Sequence, residues 1–289
     1  MAEKVTYTFT NDIEEVSVCS LGAKVVVETK DGEGITVEYD NPEDKPEIQA
    51  VLCGKKLTVK ETPTLKFFAS KPSENYQITM KLPKKQFAVL EINTSSGGVE
   101  ISDTAVSAEK FRLNTASGNI SVNAFFNDVN VKSASGNVSV TNPTAAAADI
   151  FMVGAASGNI TADYKAAKYS ISSVSGKTEF FGAEGEGSIS VTSGTVNVGY
   201  SEWSGDLKIK AVSGNVKVSL PENSGANLSF DAVSGSVRTD LGGEQGKFIN
   251  LGKGTNGEFG GENKHLVEIN LVSGSVVIAQ AEGKTLLEQ

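Results

Sequence analysis

The stretch "SASGNVSV" spans residues 133–140, with close copies at 115–122 ("TASGNISV"), 155–162 ("AASGNITA") and 211–218 ("AVSGNVKV"). A peptide repeated this often is either a binding or catalytic signature, or a bend that the backbone makes many times. Within the repeat frame Ser-Gly recurs with its Gly at 97, 118, 136, 158, 176, 194, 214, 235 and 274. The gaps are 21, 18, 22, 18, 18, 20, 21 and 39 residues. The last gap is about two periods, so one degenerate or inserted unit is expected within 243–263.

Apolar residues keep fixed distances from that Gly. Seven before it stand Leu90, Phe111, Val129, Phe151, Tyr169, Leu207, Leu228 and Val267; five before stand Ile92, Leu113, Val131, Val153, Ile171, Ile189, Ile209, Phe230 and Ile269. Two after it stand Val99, Ile120, Val138, Ile160, Val196, Val216, Val237 and Val276, with Thr178 as the exception. The Gly194 unit reads as one residue short before its Ser-Gly. Alternation with polar residues such as Arg112, Asn130, Ser139 and Lys208 is a period of two, which means a half-buried strand on each side of the bend.

Each unit is therefore strand, Ser-Gly bend, strand, variable loop. A meander of hairpins and a β-solenoid both fit. In a solenoid each unit is one coil, and equivalent positions stack about 4.8 Å apart. Like residues at like positions favour that arrangement. The fold class expected is all-β: a single-domain β-solenoid (β-helix or β-roll) of ~18–22-residue coils. Residues 1–89 alternate less regularly and hold five of the seven prolines. They are expected to form an N-terminal β cap or opening coils. Residues 90–280 form the regular repeat and 281–289 a C-terminal tail.

The bend reading assigns structural roles to Ser117, Gly118, Asn119, Ser135, Gly136, Asn137, Ser157, Gly158, Asn159, Ser213, Gly214 and Asn215. Gly supplies a φ that a Cβ disfavours, Ser bonds neighbouring backbone, and Asn can bond along a stack. Lys177, Thr195, Ser236 and Ser275 occupy the Asn position elsewhere. A ligand-contacting position would not accept that range in one chain.

Composition narrows the function classes. A net charge of −9 lacks the basic footprint that nucleic acid or an anionic membrane needs. No apolar run reaches the ~18 residues of a membrane helix, so no membrane insertion is expected. Two cysteines, Cys19 and Cys53, are not a disulfide framework, and one histidine, His265, with two separated cysteines makes no zinc pattern. No cofactor, metal site or catalytic residue is expected. Acidic residues gather at Asp12, Glu14 and Glu15; at Asp40, Glu43 and Asp44; at Glu184 and Glu186; and at Glu258 and Glu262, without the coil period. They read as solvated surface. Tyr164, Tyr200 and Phe125, with Leu220 and Leu241, read as an inward row at the second bend. Trp203, in a loop with Tyr200 and Glu202, is the candidate exposed binding residue.

At "SGNVSV", at "ITMKLPKKQFAVLEINTSSGGVEI" (78–101) and at "LVEINLVSGSVVI" (266–278), the chain resembles the bacterial "putative adhesin" family of repeat proteins. The likeness covers about 76–280. Lys84 and Lys85 after Pro83, and the Gly-rich insert at 252–261, depart from it. The resemblance implies a β-solenoid without enzymatic activity and carries over no functional residues. The function expected is a non-enzymatic binding or structural module of a bacterial cell envelope. It would recognise a protein or glycan through variable loops, in an oligomeric state the sequence leaves open. An intracellular scaffold and a β-helix polysaccharide lyase or hydrolase are the alternatives. The opening "MAEKVTYTFTND" has no basic and apolar leader, which points to the cytoplasm, or to the envelope if a leader was trimmed or a partner anchors the chain.

Overall fold

The computed structural model describes residues 3–41, 46–63, 76–241, 249–251, 254 and 256–280. The expected tail at 281–289 lies outside them, as do residues 243–248, 252, 253 and 255 of the expected extra unit. Every regular element among the described residues is a β-strand. The chain divides into two compact units, residues 1–146 and 147–289.

The first unit holds β1 (Glu3–Phe9), β2 (Glu15–Ser20), β3 (Lys24–Lys30), β4 (Ile35–Asn41), β5 (Glu47–Cys53), β6 (Lys56–Thr62), β7 (Gln77–Pro83), β8 (Gln86–Thr94), β9 (Val99–Ile101), β10 (Ser107–Thr115), β11 (Ile120–Asn123), β12 (Phe125–Ser133) and β13 (Val138–Thr141). Strands before the bend pair in parallel in the order β6, β2, β8, β10, β12. Strands after it pair in parallel as β7, β3, β9, β11, β13. The register puts Leu57, Val16, Leu90, Phe111 and Val129 in one row, and Val59, Val18, Ile92, Leu113 and Val131 in the next. All ten side chains are buried. The period of two thus becomes inward rows, each apolar side chain packed on its counterpart in the neighbouring strand.

Space and sequence order part company here. The β2–β3 pair lies between β6–β7 and β8–β9, so the first strand pair is not at the edge of its ladder. Strands β5 and β4 run antiparallel on the outer side of β6 and β7, and β1 runs antiparallel on β4. Residues on both sides of position 89 therefore share one parallel ladder.

The second unit holds β14 (Ala148–Ala155), β15 (Ile160–Ser173), β16 (Lys177–Tyr200), β17 (Leu207–Leu220), β18 (Ser224–Ala232), β19 (Ser236–Thr239), β20 (Ile249–Leu251), β21 (Asn256–Gly260), β22 (Asn263–Leu271) and β23 (Ser275–Gln280). It uses the same device. The last pair, β22–β23, is threaded between β17 on one side and β18–β19 on the other. Strands β20 and β21 run antiparallel against β19 and β18. The 39-residue gap, where the sequence suggested one degenerate or inserted unit, holds this antiparallel return.

The bends are close-packed. At Gly136 φ is 112°, and a Cβ there would lie 2.3 Å from the Gly118 carbonyl oxygen. Both the left-handed backbone and the neighbouring bend demand glycine. Gly214 lies outside the left-handed region, and there a Cβ would meet Val191 Cγ1 at 2.5 Å. Close approach, not φ, excludes a side chain at that position. The adjacent serines donate to the neighbouring unit: Ser135 Oγ to Ala116 O (3.4 Å), Ser193 Oγ to Val174 O (3.2 Å), Ser273 Oγ to Val212 O (3.2 Å) and Ser234 Oγ to Val272 O (3.3 Å). Asn119 and Asn159 accept through Oδ1 from the backbone N–H of Asn137 and Lys177.

Two details correct the sequence reading. The Gly194 unit is full length: Tyr169, Gly187 and Leu207 share one row, so Gly187 fills the position seven before. A Cβ on Gly187 would stand 2.2 Å from the Tyr169 ring, so the missing side chain makes room for that ring. Phe126, not Phe125, is the inward aromatic, fully buried and stacked on Phe111 at 4.4 Å.

Thr178 sits fully buried in a row otherwise held by Val and Ile, and its hydroxyl has no hydrogen-bond partner. A buried hydroxyl left unpaired costs on the order of 1–3 kcal/mol. Thr178→Val keeps the shape and removes that cost. Its midpoint in chemical denaturation is expected to rise, with an unchanged slope.

Candidate functional site

In the first unit the residues just before the bend build a trough of about 620 Å³. The strand register sets its wall, a row running Lys60, Cys19, Asn93, Asn114, Lys132 across five strands. Ser20, Thr94, Thr115 and Ser133 form the row beneath and are buried. Their hydroxyls donate to bend carbonyls: Ser20 to Ala23, Thr94 to Gly97, Thr115 to Ser117 and Ser133 to Ser135. Ser95, Ala116 and Ala134 complete the lining. In the second unit four of the six matching positions carry Val174, Val212, Val272 and Val233, each about half exposed or more, and the other two carry Ala156 and Thr192. Small residues therefore leave the trough open where valines would fill it.

Glu61 closes the β2–β3 bend at one end of the trough. It is 1% exposed. Its Oε2 accepts from the backbone N–H of Leu21 (2.5 Å), Gly22 (3.1 Å) and Ala23 (3.4 Å), and lies 2.9 Å from Ser20 Oγ, so it competes with Ala23 O for that hydroxyl's one proton. The Tyr39 hydroxyl donates to Pro46 O at 2.6 Å and lies 3.4 Å from Glu61 Oε1. Burial, and then the Glu61 charge, hold the Tyr39 phenol well above its ordinary pKa. From β8–β9 onward Ser-Gly marks the bends; here a carboxylate from the neighbouring strand satisfies the bend amides.

The wall has a fixed polarity. Asn114 Nδ2 donates to Asn93 Oδ1 (2.9 Å), and Asn93 Nδ2 donates to Glu91 Oε1 (3.0 Å). Lys60 and Lys132 are exposed and make no ion pair with a described residue. Cys19 and Cys53 are free thiols.

The second unit places the aromatic residues singled out by sequence. Trp203 and Tyr200 are buried at 5% and 7% exposure, and of the three residues singled out only Glu202 is exposed. The expected exposed tryptophan is instead a core residue. Its indole N–H donates to Gly225 O at 2.8 Å, and its ring meets Tyr200 edge-on at 4.7 Å and His265 at 5.5 Å. Tyr200 and Tyr169 share a hydroxyl–hydroxyl bond, and burial raises both phenols above their ordinary pKa, so they stay neutral. His265 lies 3.9 Å from Asp206, whose Oδ1 also accepts the Leu266 N–H. Tyr164, Leu220 and Leu241 are fully buried.

Three of the four acidic gatherings are tied to lysines, and Glu43 and Asp44 of the other lie outside the described residues. Asp12 and Glu14 pair with Lys55, Asp12 also with Lys85, Glu184 with Lys165, Glu186 with Lys168 and Glu258 with Lys264. Such exposed pairs add little stability. Among the described residues no group of three His, Cys, Asp or Glu could hold a metal ion.

Parallel strand pairs joined by stacked glycine bends define a class of all-β repeat protein. The chain belongs to the Toastrack DUF4097 family, whose model matches residues 13–279. Solved structures similar to it include a "putative cell adhesion protein" from Clostridium sporogenes, 14% identical, covering 97% of this chain and 100% of that one, with a TM-score of 0.26. A "putative adhesin" from Bacteroides fragilis is 10% identical over 96% and 97% of the two chains, with a TM-score of 0.43. A "putative lipid binding protein" from Parabacteroides distasonis is 17% identical over 96% and 97%, with a TM-score of 0.40. No protein of curated function matches the chain.

Sequence reasoning missed the trough because Lys60 and Cys19 reach it through strand pairings that skip along the chain. Asn93, Asn114 and Lys132 did carry a signal, since all three stand four before their Gly. Replacing Glu61 tests the bend that ends the trough. Glu61→Ala leaves three backbone amides without their acceptor, an expected loss of about 1–3 kcal/mol or more. Glu61→Gln keeps one acceptor oxygen and should lose less. Thermal unfolding of both variants gives the order.

Proposed function

We propose that the chain is a β-solenoid of ~18–22-residue coils, with opening coils and an antiparallel β cap supplied by residues 1–89, and that it works as a non-enzymatic binding module of a bacterial cell envelope. One observation carries this reading: the polar groups that chemistry would use are spent on the fold. Bend serines bond neighbouring carbonyls, Glu61 bonds bend amides, the Trp203 indole bonds Gly225, and Tyr169 bonds Tyr200. The trough, by contrast, offers lysine and amide groups at the surface. A concave face with a few convergent polar groups suits recognition. The adhesin descriptions of similar structures agree with this reading.

Location tests it. Source cells are fractionated, intact cells are treated with protease, and the protein is followed by immunoblot. A cell-envelope binding module is cleaved on intact cells. Recovery in the cytoplasmic fraction, protected from protease, favours an intracellular scaffold and contradicts this reading.

A further inference from the structure

The trough carries a more specific ligand than the binding-module reading on which this inference rests. We infer that it takes a linear acidic glycan lying across the strands, with anionic groups at Lys60 and Lys132 and sugar hydroxyls on the Asn93–Asn114 row.

Charge points to the anion. Lys60 and Lys132 stand at the two ends of the wall, and neither is ion-paired with a described residue. Most lysines around the acidic gatherings are already engaged with carboxylates. The two ends are four strand spacings apart, about 19 Å at ~4.8 Å each. One small anion cannot reach both; a ligand that meets both is extended and charged at intervals.

The middle of the wall points to hydroxyls. Asn93 is locked between Asn114 and Glu91, and this fixes which way its amide faces. Asn114 Oδ1 accepts from no described residue, which leaves it for a hydroxyl donor. Ser95 lies exposed beside it. A sugar hydroxyl both donates and accepts, so it suits a row of mixed polarity. Ala116 and Ala134 present only methyl groups, which leaves the floor open to a sugar ring. The mixed polarity of the row favours a glycan over an acidic peptide.

The fold itself supplies the blocking substitution. Val occupies the matching position in the second unit as Val174, Val212 and Val272, 48–52% exposed. Ala116→Val and Ala134→Val should therefore fold normally while narrowing the trough. Cys19 lines the trough and reports on it once Cys53→Ser removes the other thiol.

The experiment measures the alkylation rate of Cys19 in that background, with polygalacturonate, dextran or polyglutamate added, beside co-sedimentation of the protein with each polymer. Polygalacturonate is expected to bind and to slow alkylation, while dextran and polyglutamate do neither. Lys60→Gln and Lys132→Gln should each weaken binding by about tenfold, the loss of one charge-assisted contact. The double valine variant should abolish protection. Binding of polygalacturonate without protection of Cys19 overturns the trough assignment and leaves the module reading standing. Equal protection by dextran overturns the anionic assignment, and equal protection by polyglutamate overturns the glycan assignment. Absence of binding overturns the inference outright, and the module reading is then decided by location alone.

Discussion

The structure depends on one close contact, the approach of a bend glycine to the carbonyl of the bend beside it. At Gly136, Gly176, Gly194 and Gly274 a Cβ would fall 2.2–2.4 Å from the carbonyl oxygen of Gly118, Gly158, Gly176 and Gly214 respectively. No side chain survives at that distance. With glycine in place, each unit settles against the next at strand spacing. The serine hydroxyl then reaches the neighbouring carbonyl, and the inward rows come into register. Burial of those rows provides most of the stabilisation, and the bend decides that they can stack at all.

A parallel ladder also has open edges, which natural sheets must blunt. Here the chain does so by reversing direction. In each unit antiparallel strands run along the outside, β5 and β4 on β6 and β7, and β21 and β20 on β18 and β19, while β2–β3 and β22–β23 each sit between parallel neighbours. Each threaded pair thereby gains backbone partners on both sides. Closing such pairings requires long loops, a modest entropic cost that grows slowly with loop length.

The sequence made the strands and inward rows legible because alternation and the distance from Ser-Gly are local properties. Leu113 and Val131 could be placed in one row from their spacing alone. The order of units in space was not legible: nothing within 263–280 says that its neighbours are β17 and β18 and not the preceding strands. The same blind spot hid the trough, since Cys19 and Lys60 join Asn93 only through out-of-order pairing. Trp203 was misread for a different reason. Its loop composition suggested exposure, but Gly225 offers it a carbonyl and Tyr200 a ring, so a polar-tipped aromatic is buried at little cost. Gly187 looked like a shortened unit because the side chain filling its space, Tyr169, belongs to the neighbouring strand.

Native-state hydrogen exchange of the second unit tests the threading most directly. Protection follows the number of backbone partners and the depth of packing. If β22–β23 lies between β17 and β18–β19, its amides exchange as slowly as those of β17 and more slowly than those of β20 and β21. If β22–β23 exchanges first, as a fraying chain end does, the terminal pair is not held inside the ladder and this account of the ends is wrong.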